Sequence, residues 1–281
     1  MKQRIITALI LAPLIIAGIF LLPFFYFVLM LLGVVGLSLW EWSQFVTPKS
    51  RNKSLFFLLA GALACVAIMP MQPYELGAFG QSSFSFILSG VIWWLIASLL
   101  TITYPSSARH WQDSPLLKGI FGLISLMPFL WSVAVLRAID YDVNAYYGAK
   151  MVLFVCLLVW SADSGAYFAG KSLGKHKLAP RVSPNKTIEG LVGGIIAAII
   201  VGFIFADLLS LDFSSTPAMM VIILATVVIS VMGDLVESMF KRVANIKDSS
   251  NLIPGHGGVL DRIDSLMAAF PVFTLCYFLL A

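Results

Sequence analysis

Residues 253 to 264, IPGHGGVLDRID, gather three glycines, a histidine, an arginine and two aspartates in twelve positions. Pro254, Gly255, Gly257 and Gly258 favour an irregular backbone that can turn several N–H groups toward an anion, as a phosphate-binding nest does. Asp261 and Asp264 are three apart, so they share a face if a helix begins just after the glycines. Two such carboxylates repel each other unless something positive lies between them. Arg262 answers part of that need; a divalent cation answers it better, because magnesium takes one or two carboxylates and completes its shell with water and substrate phosphates. His256 would assist phosphate binding when protonated. The plainer alternative is helix capping, with Asp261 and Asp264 in the first turn and the glycines supplying the bend.

Capping does not account for the neighbours. Upstream, VVISVMGDLVESMFKRVANIKD carries Asp234, Glu237, Ser238 and Lys241 at i, i+3, i+4 and i+7, one wall of a helix if the segment stays helical. Asp163 lies about two turns before the polar segment 170–188, GKSLGKHKLAPRVSPNKTI, inside an apolar run. An ionised aspartate at bilayer centre costs about 2.5 to 3.5 kcal/mol on insertion scales, so such a residue faces protein, water or a cation. Asp163, Asp234, Asp248, Asp261 and Asp264 thus collect near Lys186, Lys241, Arg242, Lys247 and Arg262. Acids that hold a cation, interleaved with bases that neutralise the oxygens it does not reach, are what a metal and triphosphate site requires.

The elements that must position these groups are membrane helices. Hydrophobic residues make up 60% of the 281 and charged ones 11%, and the mean hydropathy of +0.96 is beyond what a water-soluble core hides. A span needs roughly 20 apolar residues, and runs near 5–22, 24–40, 55–73, 84–104, 119–138, 150–169, 189–206, 217–236 and 265–281 qualify. The expectation is an all-α polytopic protein of about nine transmembrane helices, the first two forming a hairpin broken at Pro23. With a cytoplasmic N-terminus and an external C-terminus, all of the 18 basic residues except Arg137 and Lys150 fall on the cytoplasmic side, as the positive-inside rule requires. Lys2, Arg4 and Lys49 contribute to that count. Residues 1–140 read as helices building a lipid cavity or a dimer interface, and 141–281 as a catalytic region with cytoplasmic loops 170–188 and 237–264. The basic residues are dispersed, which argues against nucleic acid as a partner. Cys65, Cys156 and Cys276 sit singly in apolar runs, without the pairing of a disulfide or zinc site.

The segment 238–264, SMFKRVANIKDSSNLIPGHGGVLDRID, resembles the signature of the bacterial phosphatidate cytidylyltransferases, or CDP-diacylglycerol synthases. Its fixed positions are met by Ser238, Lys241, Arg242, Lys247, Asp248, His256, Gly257, Gly258, Asp261, Arg262 and Asp264. One soft departure is Ser249 and Ser250 after the Lys-Asp pair, where the family often has glycine or another small residue. DSGAYFAGKSLGKHKLAPRVSPNKTIEG, residues 163–190, and GDLVES, residues 233–238, are also similar to family segments. The resemblance implies transfer of a cytidylyl group from CTP to phosphatidate with magnesium, with a second cation as a further possibility. It also implies a homodimer in the bacterial inner membrane with its active site on the cytoplasmic face.

On this resemblance Asp234 and Asp261 would hold the catalytic magnesium, with Asp264 and Asp163 as further ligands. Lys241, Arg242, Lys247 and Arg262 would screen the phosphates. Ser183, Asn185, Lys186 and Thr187 would form the opposing loop, and Glu189 would orient the base. Two alternatives stand beside it. A CTP-dependent polyprenol or phytol kinase would use similar groups to move the terminal phosphoryl instead. A cation-coupled transporter would account for intramembrane acids, but its usual repeated halves are not visible. The Asp-Gly pattern of CDP-alcohol phosphotransferases is absent.

Overall fold

The structure, a computed structural model, describes residues 2–47 and 51–281, without the side chains of residues 2–6 and 8. Lys2, Arg4 and Lys49, used above to orient the chain, therefore lie outside the described side chains. The long apolar runs fold as helices because a backbone in lipid must satisfy its own N–H and C=O groups within the segment. These are α1 (Lys2–Leu21), α2 (Phe24–Val46), α3 (Arg51–Ala67), α5 (Gln81–Ile102), α6 (Pro115–Ala138), α7 (Tyr147–Leu173), α8 (Ile188–Leu208), α9 (Thr216–Val243) and α10 (Leu260–Leu280), with a single-turn α4 (Pro73–Gly77) after α3. Seven of them, α2 and α5 to α10, are long and apolar enough to cross a membrane. Among the described side chains α1 has a shorter apolar stretch, Leu9–Leu21, and α3 has 17 residues. The expected third span, 55–73, stops short because Pro70 and Pro73 interrupt the run and Pro73 opens α4 instead. Pro23 separates α1 from α2 as expected.

Two departures from the expected boundaries matter for the site. α9 continues to Val243, so Asp234 through Lys241 lie on one continuous helix. The polar segment 170–188 also contains a small antiparallel hairpin, β1 (Lys177–Ala179) and β2 (Ser183–Thr187), pairing Lys177 with Thr187 and Ala179 with Ser183.

The helix most enclosed by its neighbours is α6, buried at every position from Ser125 to Ala138. Indole N–H groups are satisfied across helices: Trp42 Nε1 donates to the Lys118 carbonyl at 2.9 Å, Trp93 Nε1 to Ser125 Oγ at 2.8 Å and Trp131 Nε1 to Ser83 Oγ at 3.2 Å. Trp42 of α2 also packs on Phe240 of α9, ring centroids 4.9 Å apart. The N-terminal helices and the signature-bearing helices therefore share one core.

The pair α7 and α8 is built on small residues. Gly190, Gly194, Ala198, Gly202 and Ala206 of α8 are buried, while Ile188, Val192, Ile196, Ile200 and Leu208 on the opposite face are exposed. Lipid tails are as apolar as isoleucine, so large side chains gain nothing by turning inward, and small ones let the backbones approach. A Cβ on Gly165 would lie 2.6 Å from Ala197 Cβ, one on Gly194 would lie 2.6 Å from the Ala162 carbonyl oxygen, and one on Gly193 would overlap Ala169 Cβ. This contact sets the position of Asp163 on α7 relative to Lys186 just before α8.

At the opposite end of the helix stack, Arg137 is 2% exposed. Its guanidinium donates to the carbonyls of Ile19 (3.1 Å), Ala145 (2.9 Å) and Leu22 (3.3 Å). One of the two bases outside the charge pattern thus serves as a packing strut, which explains its exception to the topology rule.

Replacing Gly193 by alanine should force α7 and α8 apart at Ala169 and cost about 1–3 kcal/mol, the usual range for overpacking. Thermal unfolding in detergent should show the loss, and Ala169→Gly in the same chain should restore most of it.

Candidate active site

Four helix ends and a loop make the site: the last three turns of α7, β2 with the start of α8, the last three turns of α9, and the 244–259 loop with the start of α10. Three cavities open among them. One of about 580 Å3 lies against the loop, bordered by Lys247, Asp248, His256, Gly257 and Arg262. A second, also about 580 Å3, lies between α7 and β2, bordered by Asp163, Asn185, Lys186, Thr187, Asp234 and Arg262. The third, about 480 Å3, holds the acids Asp163, Asp234, Asp248, Asp261 and Asp264 together with Lys241, His256 and Arg262. Arg262 borders all three, so they form one branched trough around its side chain.

The glycine loop is organised differently from the expected phosphate nest. Four of its amide groups, those of Ser249, Gly258, Val259 and Leu260, are bound by two of the protein's own carboxylates. Asp261 accepts from Ser249 N (2.9 Å), Ser249 Oγ (2.9 Å), Gly258 N (2.7 Å) and Lys241 Nζ (2.9 Å). The second carboxylate is Glu41 of α2, fully buried. It accepts from Val259 N (3.0 Å) and Leu260 N (2.6 Å) at the start of α10 and from Ser250 Oγ (2.5 Å), and it shares with Asp261 the single proton of the Ser249 hydroxyl, whose Oγ lies 3.2 Å away. A carboxylate at a helix N-terminus meets both unpaired donors and the positive end of the helix dipole. The two serines that distinguish this loop from the family pattern are thus the ones that bind Glu41. Gln44, one turn further along α2, adds a bond from its side-chain amide to the Ser249 carbonyl.

The glycines follow from this arrangement. Gly257 has φ +81°, and a Cβ there would sit 2.5 Å from Asp261 Oδ2. At Gly258 a Cβ would overlap both Ser249 Oγ and Glu41 Oε1. Gly258 therefore gives its N–H to Asp261 and leaves none for an external anion.

Glu41 was not legible as a site residue. The available signal was an acid between two tryptophans at the end of an apolar run, with no base at i±3 or i±4, since those positions are Leu37, Ser38, Gln44 and Phe45. Such a group must find its partner far away in sequence.

The bases divide into those that already hold a partner within the protein and those that do not. Lys241 is bound to Glu237 and Asp261 with its side chain 13% exposed. Lys186 pairs with Asp234 at 2.7 Å, and Ser238 Oγ donates to the other Asp234 oxygen at 3.2 Å. Arg242, expected among the phosphate-screening groups, donates from Nε to the Val182 carbonyl at 3.0 Å and braces the hairpin. Glu189, expected to orient a base, instead binds His176 Nδ1 at 2.6 Å and the N–H groups of Lys175 and His176, which shapes the approach to β1. Thr187 caps α8 through Gly190 N at 3.1 Å, and Ser183 is held in the hairpin register. Lys247 and Arg262 remain exposed on the trough, and among the described residues neither makes an ion pair.

The acids divide in the same way. Asp261 and Asp234 carry a lysine each, whereas Asp163 and Asp264 have no ion-pair partner among the described residues. Asp163, Asp234 and Asp264 lie within electrostatic reach of one another. Among the described residues no three His, Cys, Asp or Glu form a ready-made metal cage. The donor set suits an ion that takes one or two carboxylates and finishes its shell with water and phosphate oxygens, which is the habit of magnesium. His256 Nδ1 is buried at the trough without a hydrogen-bond partner.

Glu41→Gln should leave two of the four donors facing an amide N–H2. Each buried donor left unpaired costs about 1–3 kcal/mol, so the variant should unfold at lower temperature and lose turnover. Glu41→Ala should be worse on both readouts.

The geometry can be set beside known proteins. A model of the cytidylyltransferase family matches residues 2–280. The chain is 43% identical over 284 residues to a phosphatidate cytidylyltransferase of Haemophilus influenzae, covering 99% of each. It is 42% identical over 273 residues to one of Pseudomonas aeruginosa, covering 97% of this chain and 95% of the relative. One of Bacillus subtilis is 35% identical over 289 residues, covering 100% and 98%. Likeness over the full length, with the acids and bases of the signature converging on one trough at the helix ends, makes this chain a member of the cytidylyltransferase family.

Proposed function

We propose that the protein transfers a cytidylyl group from CTP to phosphatidate, releasing pyrophosphate and forming CDP-diacylglycerol. An oxygen of the lipid phosphate bonds to the α-phosphorus of CTP, and the bond from that phosphorus to the β-phosphate oxygen breaks. The observation that carries the reading is the trough around Arg262, where acids without partners stand beside bases without partners at the level of the helix ends.

A phosphate monoester has its second pKa near 6, so the lipid nucleophile is already ionised at neutral pH and needs little help from a base. The obstacle is repulsion between two anions, and fixed positive groups reduce it. Arg262, where the three cavities meet, is positioned to bridge phosphates of both substrates. Lys247 and His256 border the loop cavity and would hold the end of the triphosphate that departs. Asn185 and Lys186 form the facing wall. Lys241 and Asp261 keep the loop and α9 in register, so Arg262 and Asp264 are presented without reorganisation.

Asp264 and Asp163, joined by Asp234 once Lys186 turns to a phosphate, would hold magnesium, with a second cation as a variant of the same arrangement. When bound, magnesium supplies charge neutralisation across the phosphate oxygens. The orientation argued from charge, N-terminus inside and C-terminus outside, puts the trough on the cytoplasmic face of a bacterial inner membrane, where CTP is available. A homodimer is the assembly expected from the family resemblance.

CTP labelled in the α-phosphorus decides between this reaction and a lipid kinase. The label should appear in lipid extracted after incubation with phosphatidate, and label in the γ-phosphorus should leave as pyrophosphate. Lipid labelled from the γ position would overturn the proposal.

Two substitutions separate roles within the site. Asp264→Asn should lower turnover by at least about 100-fold, the scale of removing a key electrostatic group, with little change in unfolding temperature. Asp261→Asn should lower both, since it disrupts the four hydrogen bonds that build the loop. A stable Asp264→Asn enzyme with near-normal turnover at saturating magnesium would contradict the assignment.

A further inference from the structure

The cavity that holds the acids has a second chemistry. Opposite Asp163, Asp234 and Asp264 its wall is made by Leu11, Ala12 and Ile15 of α1 and by Trp160 of α7. Positions 11, 12 and 15 fall on one face of α1. The other face, with Leu9, Ile10 and Leu14, is 61 to 69% exposed, as expected of a surface meeting lipid. One helix thickness therefore separates the acids from the hydrocarbon.

On α7, Trp160 and Asp163 are three residues apart and share a face, so the indole lies about one turn deeper in the membrane than the carboxylate. A ligand seated here would have its charged end among Asp163, Asp234 and Arg262 and its apolar portion against Trp160 and α1. Free nucleotides have no such portion; an acylated phosphate does.

The way α1 is held supports the same surface. Its far end is fixed by Arg137, which donates to the carbonyls of Ile19 and Leu22, and by Gly18, where a Cβ would sit 2.7 Å from Met30 Sδ. Its near end reaches the signature loop, where Thr7 Oγ1 donates to the Pro254 carbonyl at 3.2 Å. Between the two, Pro13 removes a backbone donor from the helix, directly beside the wall residue Ala12. The seam between α1 and α7 thus runs from the acid cluster outward to lipid, with the ladder of one of its two helices interrupted where the cavity opens.

We infer that the acyl chains of the lipid substrate reach the site through the α1/α7 seam and rest on Leu11, Ala12, Ile15 and Trp160. This rests on the cytidylyl-transfer reading and adds to it the route and the subsite for the hydrocarbon part. The contribution of such a wall scales with the apolar area it covers, so it should distinguish long chains from short ones and be indifferent to CTP.

The test uses the full-length enzyme with dihexanoyl and dioleoyl phosphatidate. Ala12→Trp and Ile15→Trp should lower kcat/KM for the dioleoyl substrate by about tenfold or more relative to the dihexanoyl one, with KM for CTP unchanged. Leu14→Trp, on the lipid face, should leave both substrates as they are. An equal fall for both chain lengths, or no change for either, would overturn the inference.

Because a bulky residue in α1 can impair folding, a second measurement uses the unaltered protein. Phosphatidate carrying a mid-chain diazirine should photolabel residues 11–15 and Trp160 more strongly than the matching phosphatidylcholine probe. Equal labelling by the two probes, or phosphatidate-specific labelling confined to other helices, would refute the seam. Failure of the unaltered enzyme to label either phosphatidate from α-labelled CTP would instead refute the reaction, so the two failures are distinguishable.

Discussion

Everything in the polar half of this protein depends on two carboxylates, Glu41 and Asp261, being buried among the donors of one loop. Burying a carboxylate is costly unless each oxygen is hydrogen-bonded, and here both oxygens of each carboxylate are. Those bonds fix residues 249 to 260 against α2 and α9, and the start of α10 follows from them. Arg262 and Asp264, one and three residues after Asp261, inherit a position set by these two acids. Because the amide groups of Ser249, Gly258, Val259 and Leu260 are occupied by these carboxylates, that part of the backbone is a scaffold.

That division extends to the bases. Lys241 neutralises Glu237 and Asp261, and Arg242 braces the hairpin, so two adjacent cations of the signature each hold a partner within the protein. Lys247, Arg262 and the unpartnered Nδ1 of His256 are left for ligands. Basic groups left unsatisfied at a site are available to neutralise phosphate charge.

The membrane dictates where such a cluster can be built. Charged side chains are tolerated at helix ends and against protein, and the site takes the polar ends of α7, α9 and α10. The rest of each helix is a beam. The α7/α8 pair shows how a beam is made rigid in lipid: glycine and alanine inward, isoleucine outward. Rigidity there transmits to the chemistry, because Asp163 and Lys186 face each other across that contact.

The sequence by itself determined the helical membrane class, most span positions and the family signature, since these depend on hydropathy over a window and on local spacing. The face shared by Asp234, Glu237, Ser238 and Lys241 was legible for the same reason, as helical periodicity is local. Tertiary structure alone decided which partners those residues hold. Lys241 and Lys247 are both basic and both in the signature, yet one is bound by two acids and the other makes no ion pair among the described residues. Glu189 turned to His176, and Gly258 to Asp261, through contacts that no spacing rule contains. Glu41 lies 218 residues from one of the amides it binds, and a hydrogen bond of that separation leaves no periodic trace in the chain. The physical reason is that burial of a charge must be compensated wherever the fold brings a donor, and sequence proximity has no part in that requirement.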